Sequence, residues 1–80
     1  MLKINEVTAW KTVVIPHKEN PLKICTDMKY LITGFPCDSN GNMLILLNEY
    51  KTDPEPGFGL MTYVLTKDEL KNNFDIIKIL

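Results

Sequence analysis

The sequence predicts a small, mainly β domain of five short strands, with one helical turn before the last strand. Three observations carry this prediction. An Asp-Ser-Asn-Gly turn separates two apolar stretches at residues 38–41, short alternating segments are divided by loops rich in Pro and Gly, and a capping box precedes the final apolar run. Because 80 residues have room for one core, we expect a single domain over residues 1–80.

The first strand is predicted at about residues 8–15. Its β-branched run Thr12–Ile15 favours an extended chain over the helical spacing of apolar residues that the N-terminal stretch also shows. Pro16 ends this strand, and a polar connection follows. In the short extended segment after it, Leu22 and Ile24 share a face and are expected to reach the core.

The second and third strands are predicted as a hairpin over residues 29–50. Asn40 and Gly41 tolerate the positive φ angles of a type I′ turn. With these two residues at the centre of the turn, the register pairs Leu31 with Tyr50.

A longer loop over residues 36–42 is the alternative to this tight turn, because Pro36 lacks the amide hydrogen of a paired strand residue. The stretch 43–47 after the turn is apolar on both faces. That pattern is typical of a central strand, and it leaves more apolar surface than a domain of this size readily buries.

The C-terminal half is predicted to contain a loop, a strand, a helical turn and a last strand. Residues 52–59 are rich in Pro, Gly and acids, and are expected to form a loop. Alternation resumes over residues 60–65. Thr66 and Glu69 then have the spacing of a capping box, which predicts a short helix or 3₁₀ turn before a last strand over residues 74–80.

This order of elements fits a five-stranded SH3-like barrel best, since an oligonucleotide-binding barrel requires its helix between strands three and four. The sequence also resembles small SH3-like barrel proteins encoded by bacteriophages and mobile elements. The matching residues are Ile15-Pro16-His17, Asn20-Pro21-Leu22-Lys23, Lys29-Tyr30-x-Ile32, Gly41 with Leu44 and Leu46, and Phe74–Ile77. The chain departs from the pattern at Met28-Lys29, where that group commonly has Gly-Lys.

The resemblance implies the fold and a phage or prophage source, and it implies no activity. The chain lacks the ALYDY-type stretch of peptide-binding SH3 domains, so binding of proline-rich ligands does not carry over. No long apolar segment and no leader pattern is seen, so we expect a cytoplasmic protein without a membrane partner.

Catalytic chemistry is poorly represented in the composition. The chain has one histidine, one serine at a turn and no arginine, and no nucleophile lies at a recognisable spacing from His17. We therefore expect no enzyme, no cofactor and no small-molecule substrate.

Two sets of residues invite a metal interpretation. Asp38, Asn40, Asn42 and Glu49 have part of the spacing of a calcium loop, but the glycine is misplaced and the flanks are strands, so we interpret the first three as turn residues. Cysteines 25 and 37 are too few for a structural zinc site even with the histidine at position 17. We expect reduced thiols, with a disulfide or a metal site as alternatives, and we place no metal residue.

A protein-interaction surface is the favoured functional hypothesis. An aromatic residue between two glycines, Phe58, is a candidate anchor for a protein partner or a second copy of the chain. The alternative is that Phe58 folds back beside Trp10 or Tyr63. The candidate partner-binding residues are Phe58, Tyr50, Tyr63, Met43, Ile45 and Trp10.

Nucleic-acid binding is the alternative function. It would use N-terminal lysines, with Trp10 and Tyr30 as stacking surfaces; the candidate residues are Lys11, Lys18, Lys23, Lys29 and Tyr30. A formal net charge of −1 and the absence of arginine make nucleic acid the less favoured partner.

Overall fold

The computed structural model describes residues 8–51 and 55–80 of the chain. Within these residues five antiparallel strands form one open sheet, with one short helix before the last strand. The elements are β1 (Thr12–Pro16), β2 (Tyr30–Gly34), β3 (Leu44–Lys51), β4 (Gly57–Thr66), α1 (Lys67–Asn73) and β5 (Phe74–Ile79). The mainly β class, the five strands and the position of the helix are confirmed.

The strand order is β4-β3-β2-β1-β5, so β4 and β5 are the two edges of the sheet within the described residues. The prediction that the third strand is central is confirmed, since β3 lies between β2 and β4. The first strand is shorter than predicted. Residues 8–11 form a turn before β1, in which the Thr12 hydroxyl donates a hydrogen bond to the Thr8 carbonyl over 3.1 Å.

The core lies on one face of the sheet. Leu70 of α1 is fully buried against this face, and Ile24 and Leu22 of the connection between β1 and β2 pack there as predicted. The buried cluster comprises Val14, Ile24, Tyr30, Ile32, Ile45, Leu47, Leu65, Leu70 and Phe74. On the other face of the sheet, Val13 and Leu31 are also buried, whereas Phe58, Leu60 and Val64 of β4 are exposed.

The hairpin between β2 and β3 has a different turn from the predicted one. The Gly41 amide donates to the Asp38 carbonyl over 3.1 Å, and the Asp38 amide donates to the Asn42 carbonyl over 2.9 Å. Of the two central residues, Gly41 alone has a positive φ, at 82°. These features define a three-residue loop built on a type I turn with a glycine bulge.

The predicted pairing of Leu31 with Tyr50 is therefore wrong, and Leu31 pairs with Asn48. The three-residue loop moves the register by one position, and an irregularity between Ile32 and Gly34 moves it by one more. The Asp38 carboxylate stabilises the loop by accepting the amide hydrogens of residues 40 and 42, over 2.8 and 2.9 Å.

β4 begins earlier than predicted. Residues 57–59, predicted as loop, are strand, with Phe58 paired to Tyr50 and Gly57 to Lys51. Residues 52–54 of that predicted loop, and residues 1–7, lie outside the described residues. The helix after β4 begins with the predicted capping box: the Glu69 amide donates to the Thr66 hydroxyl over 3.1 Å, and the Thr66 amide donates to the Glu69 carboxylate over 2.8 Å.

Candidate interaction surface

The face of the sheet opposite the core carries apolar and aromatic side chains that the described chain leaves partly uncovered. Successive residues of a strand point to opposite faces. Because Ile45 and Leu47 of β3 point to the core, Leu46 and Asn48 point away from it. We call this opposite side the outer face; on β4 it includes Val64, which is paired with Leu46.

Three aromatic side chains gather on the outer face, and we call them the aromatic cluster: Trp10, Tyr50 and Phe58. The Phe58 ring lies 5.4 Å from that of Tyr50 and 6.0 Å from that of Trp10, measured between centroids. The contact with Trp10 is edge-to-face, a favoured arrangement for aromatic rings. Phe58 and Trp10 nevertheless stay 54% and 61% exposed.

The backbone holds Trp10 in an uncommon conformation. Its φ is 69°, in the left-handed region that bulky residues rarely adopt, and its amide donates to the Ile32 carbonyl over 2.7 Å. This hydrogen bond ties the turn before β1 to strand β2. The turn therefore places the indole of Trp10 on the outer face, at the cost of an unfavourable backbone conformation.

An open cavity of about 280 Å³ lies beside the aromatic cluster, lined by Trp10, Thr33, Leu46, Asn48 and Phe58. Its polar groups bond to one another or to a neighbour. The Thr33 hydroxyl donates to the Asn48 side-chain oxygen over 2.5 Å, and the Asn48 side-chain nitrogen donates to the hydroxyl of residue 62 over 3.4 Å. Since these groups already have partners, the cavity suits an apolar group.

Leu60 is the most exposed large apolar residue of the outer face, at 98%. Thr62 pairs with Asn48 and Phe58 pairs with Tyr50, so residues 59–61 of β4 lie opposite a single residue of β3, Glu49. Extra residues on one strand make that strand bulge outward. Alternation gives Leu60 the same side as Phe58, and the bulge makes it protrude.

Gly59 allows this bulge to form. A Cβ at Gly59 would overlap the carboxylate of Glu49 and lie 2.8 Å from its Cγ. Glu49 is buried, so its side chain passes over the position that a side chain at residue 59 would occupy. The fit between these two residues sets the shape of β4 where Leu60 protrudes.

The structure brings together three of the predicted partner-binding residues, namely the aromatic cluster. Ile45 is fully buried in the core, so it has no surface for a partner and its inclusion is corrected. Tyr63 lies on the core side, with its ring 5.5 Å from the ring of Tyr30. Met43 is half-buried and forms a bridge with Cys37 beside the hairpin loop, apart from the aromatic cluster.

Sequence reasoning missed Leu46, Leu60 and Val64. The signal was the alternation of Phe58, Leu60 and Val64 along one strand. It stayed hidden because two glycines and two prolines gave residues 52–59 the composition of a loop.

The residues predicted for nucleic acid are spread over several segments. Lys11, Lys18 and Lys23 are exposed, and Lys29 is half-buried. Tyr30 is fully buried and donates its hydroxyl hydrogen to the Cys25 carbonyl over 3.1 Å, so it offers no stacking surface and that prediction is corrected. Burial, assisted by the neighbouring Tyr63, raises the pKa of the Tyr30 phenol well above its ordinary value.

The remaining chemical groups form no larger assembly in the described part of the chain. His17 Nε2 lies 3.2 Å from a carboxylate oxygen of Asp75, a pairing that joins the end of β1 to β5 and that no sequence spacing indicated. Cys25 and Cys37 are free thiols. Among residues 8–51 and 55–80, no three His, Cys, Asp or Glu side chains are grouped so as to hold a metal ion.

Comparisons with family models, with curated proteins and with solved structures give no match for this chain. Within the described residues, α1 is the helix, and it is too short to cross a membrane.

Proposed function

We propose that the protein is a non-enzymatic protein-interaction module that binds a protein partner, or a second copy of itself, through its outer face. One observation carries the proposal: an exposed aromatic cluster borders an apolar cavity whose polar groups are already hydrogen-bonded. Trp and Tyr are enriched among the residues that dominate binding energy at protein interfaces. The proposed surface consists of Trp10, Tyr50, Phe58, Leu46, Leu60 and Val64.

The exposed side chains would supply part of the binding free energy. Fully burying one large apolar side chain contributes about 1.5–3 kcal/mol. Phe58, Trp10 and Leu60 are each more than half exposed. A partner that covers all three gains several kcal/mol before the entropic costs of association, so a micromolar complex, at about −8 kcal/mol, also needs contacts from the rest of the outer face.

We further propose that the sheet belongs to the SH3-like barrel class and that the protein is cytoplasmic and encoded by a phage or mobile element. The strand order β4-β3-β2-β1-β5, with a helical turn between β4 and β5, supports the fold proposal. The sequence resemblance described above supports the source. The fold sets no ligand, since function resides in the site and not in the architecture.

Single-stranded nucleic acid is the second candidate ligand. An exposed Trp10 next to an exposed Lys11 offers one stacking ring and one cation, the combination that such ligands use. Fluorescence anisotropy with single-stranded probes at low and moderate salt tests it. Binding that weakens with salt and is lost in Trp10→Ala supports this candidate, and absence of binding at low salt removes it.

Affinity capture tests the main proposal. The wild type, Phe58→Ala and the control Ile77→Ala are immobilised and exposed to bacterial lysates, and the captured proteins are quantified by mass spectrometry. Ile77 is exposed like Phe58 but lies on β5, at the other edge of the sheet. We expect Phe58→Ala to lose the specific captures that Ile77→Ala retains, while circular dichroism shows all three proteins to be folded.

A further inference from the structure

We propose that the occupant of the outer face is a second copy of this chain, held in a two-fold dimer in which Leu60 of each copy enters the cavity of the other. This inference rests on the proposed function, because it names the partner of the same surface. Its basis is that the outer face carries both a protruding apolar side chain and an apolar cavity.

The protruding group and the cavity lie on the same side of the sheet. Leu60 stands two residues beyond Phe58, which lines the cavity, and the bulge of β4 lifts Leu60 clear of its neighbours at 98% exposure. The volume of about 280 Å³ accommodates an isobutyl group with room to spare. A two-fold dimer buries the same surface on both copies, so each copy must supply both the protruding group and the cavity that receives it. The outer face carries both.

The absence of charge on β4 favours another apolar surface as the partner of this strand. β4 contains no charged residue over Gly57–Thr66, whereas the opposite edge strand β5 carries Asp75 and Lys78. Sheet edges and faces that avoid association normally carry such charges. A charged group placed over β4 would lose hydration without gaining an ion pair from that strand.

The charged residues on either side of β4 have opposite signs, so a two-fold axis can bring the acid of one copy near the base of the other. Glu55 precedes the strand, Lys67 follows it, and both are exposed. When two β4 strands run antiparallel across a two-fold axis near Met61, Glu55 of each copy lies toward Lys67 of the other. A formal net charge of −1 adds little repulsion between copies.

Sedimentation velocity over micromolar to millimolar concentrations tests the dimer. The wild type is expected to shift from monomer to dimer with rising concentration. Leu60→Ser removes a buried isobutyl group from each half of the interface and is expected to raise the dissociation constant by about a hundredfold or more. Because this side chain makes little contact within its own chain, circular dichroism should show an unchanged fold, and Ile77→Ser serves as the matched control.

A charge exchange tests the antiparallel arrangement. Glu55→Lys alone should weaken the dimer, and Glu55→Lys combined with Lys67→Glu should restore it. A wild type that stays monomeric at millimolar concentration overturns the inference, and so does a dimer that Leu60→Ser leaves intact. Either result leaves the proposed function standing if Phe58→Ala still loses a captured partner. The proposed function is itself refuted if neither capture nor dimerisation depends on the outer face.

Discussion

Replacing Gly59 by alanine should destabilise the protein by about 1–3 kcal/mol, the usual cost of forcing an added methyl group into an occupied site. The new Cβ would overlap the carboxylate of Glu49, which is itself buried and cannot move freely into solvent. A domain of 80 residues has a free energy of unfolding of about 4–12 kcal/mol. The substitution therefore removes a measurable part of the free energy of unfolding. In urea, the unfolding midpoint should move to a lower concentration, and the dependence of the free energy on urea concentration should stay the same.

Gly57→Ala is the matched control in the same strand. Apart from its chain neighbours, no heavy atom of residues 8–51 and 55–80 lies within 4 Å of a Cβ built at Gly57, and its φ is outside the left-handed region. Alanine there should be neutral or stabilise by about 0.4–1 kcal/mol, through the entropy of the unfolded chain. The double variant Glu49→Ala/Gly59→Ala should lose less than the two single variants together, with a coupling of about 0.5–3 kcal/mol. Equal stabilities for Gly57→Ala and Gly59→Ala would refute the proposed fit between Gly59 and Glu49.

Two further predictions concern the helix start and the buried tyrosine. Thr66→Ala should cost about 1 kcal/mol in urea unfolding because it removes the N-cap acceptor for the Glu69 amide, while Thr66→Ser should stay close to the wild type. Burial raises the pKa of Tyr30 above its ordinary value of 10.0, so the folded state favours the protonated phenol. The stabilisation from the protonated Tyr30 is fully present below pH 10 and is lost as the pH rises beyond that value. The melting temperature should therefore fall above pH 10, and Tyr30→Phe should reduce this dependence while losing about 1 kcal/mol with the hydrogen bond to the Cys25 carbonyl.

The order of the elements could be predicted from the sequence because each depends on local chemistry. The spacing of Thr66 and Glu69 specifies a helix start through contacts within one turn, and the run Thr12–Ile15 specifies an extended chain through its branched side chains. The register of the hairpin depended on the φ of Asn40 and on the irregularity between Ile32 and Gly34, neither of which follows from residue type. A three-residue loop shifts every later pair, so the error passed along β3.

The outer face could be predicted only in part because it is created by contacts between distant residues. Phe58 and Trp10 were identified from their type and surroundings, but their contact requires the turn before β1 to cross to β4. Ile45 was wrongly included in the partner-binding surface because both faces of its strand are apolar, so alternation did not show which face packs in the core. Leu60 acquires its exposure from the bulge opposite Glu49, which no local pattern encodes.

The fluorescence of Trp10 tests the central claim most directly, because it is the single tryptophan of the chain and lies on the outer face. At 61% exposure its emission should be that of a largely hydrated indole in the free monomer. When the protein binds a captured partner or a second copy, the emission maximum should move to shorter wavelength, and Phe58→Ala should abolish the change. Binding that leaves the emission of Trp10 unchanged would contradict the outer face as the interaction surface.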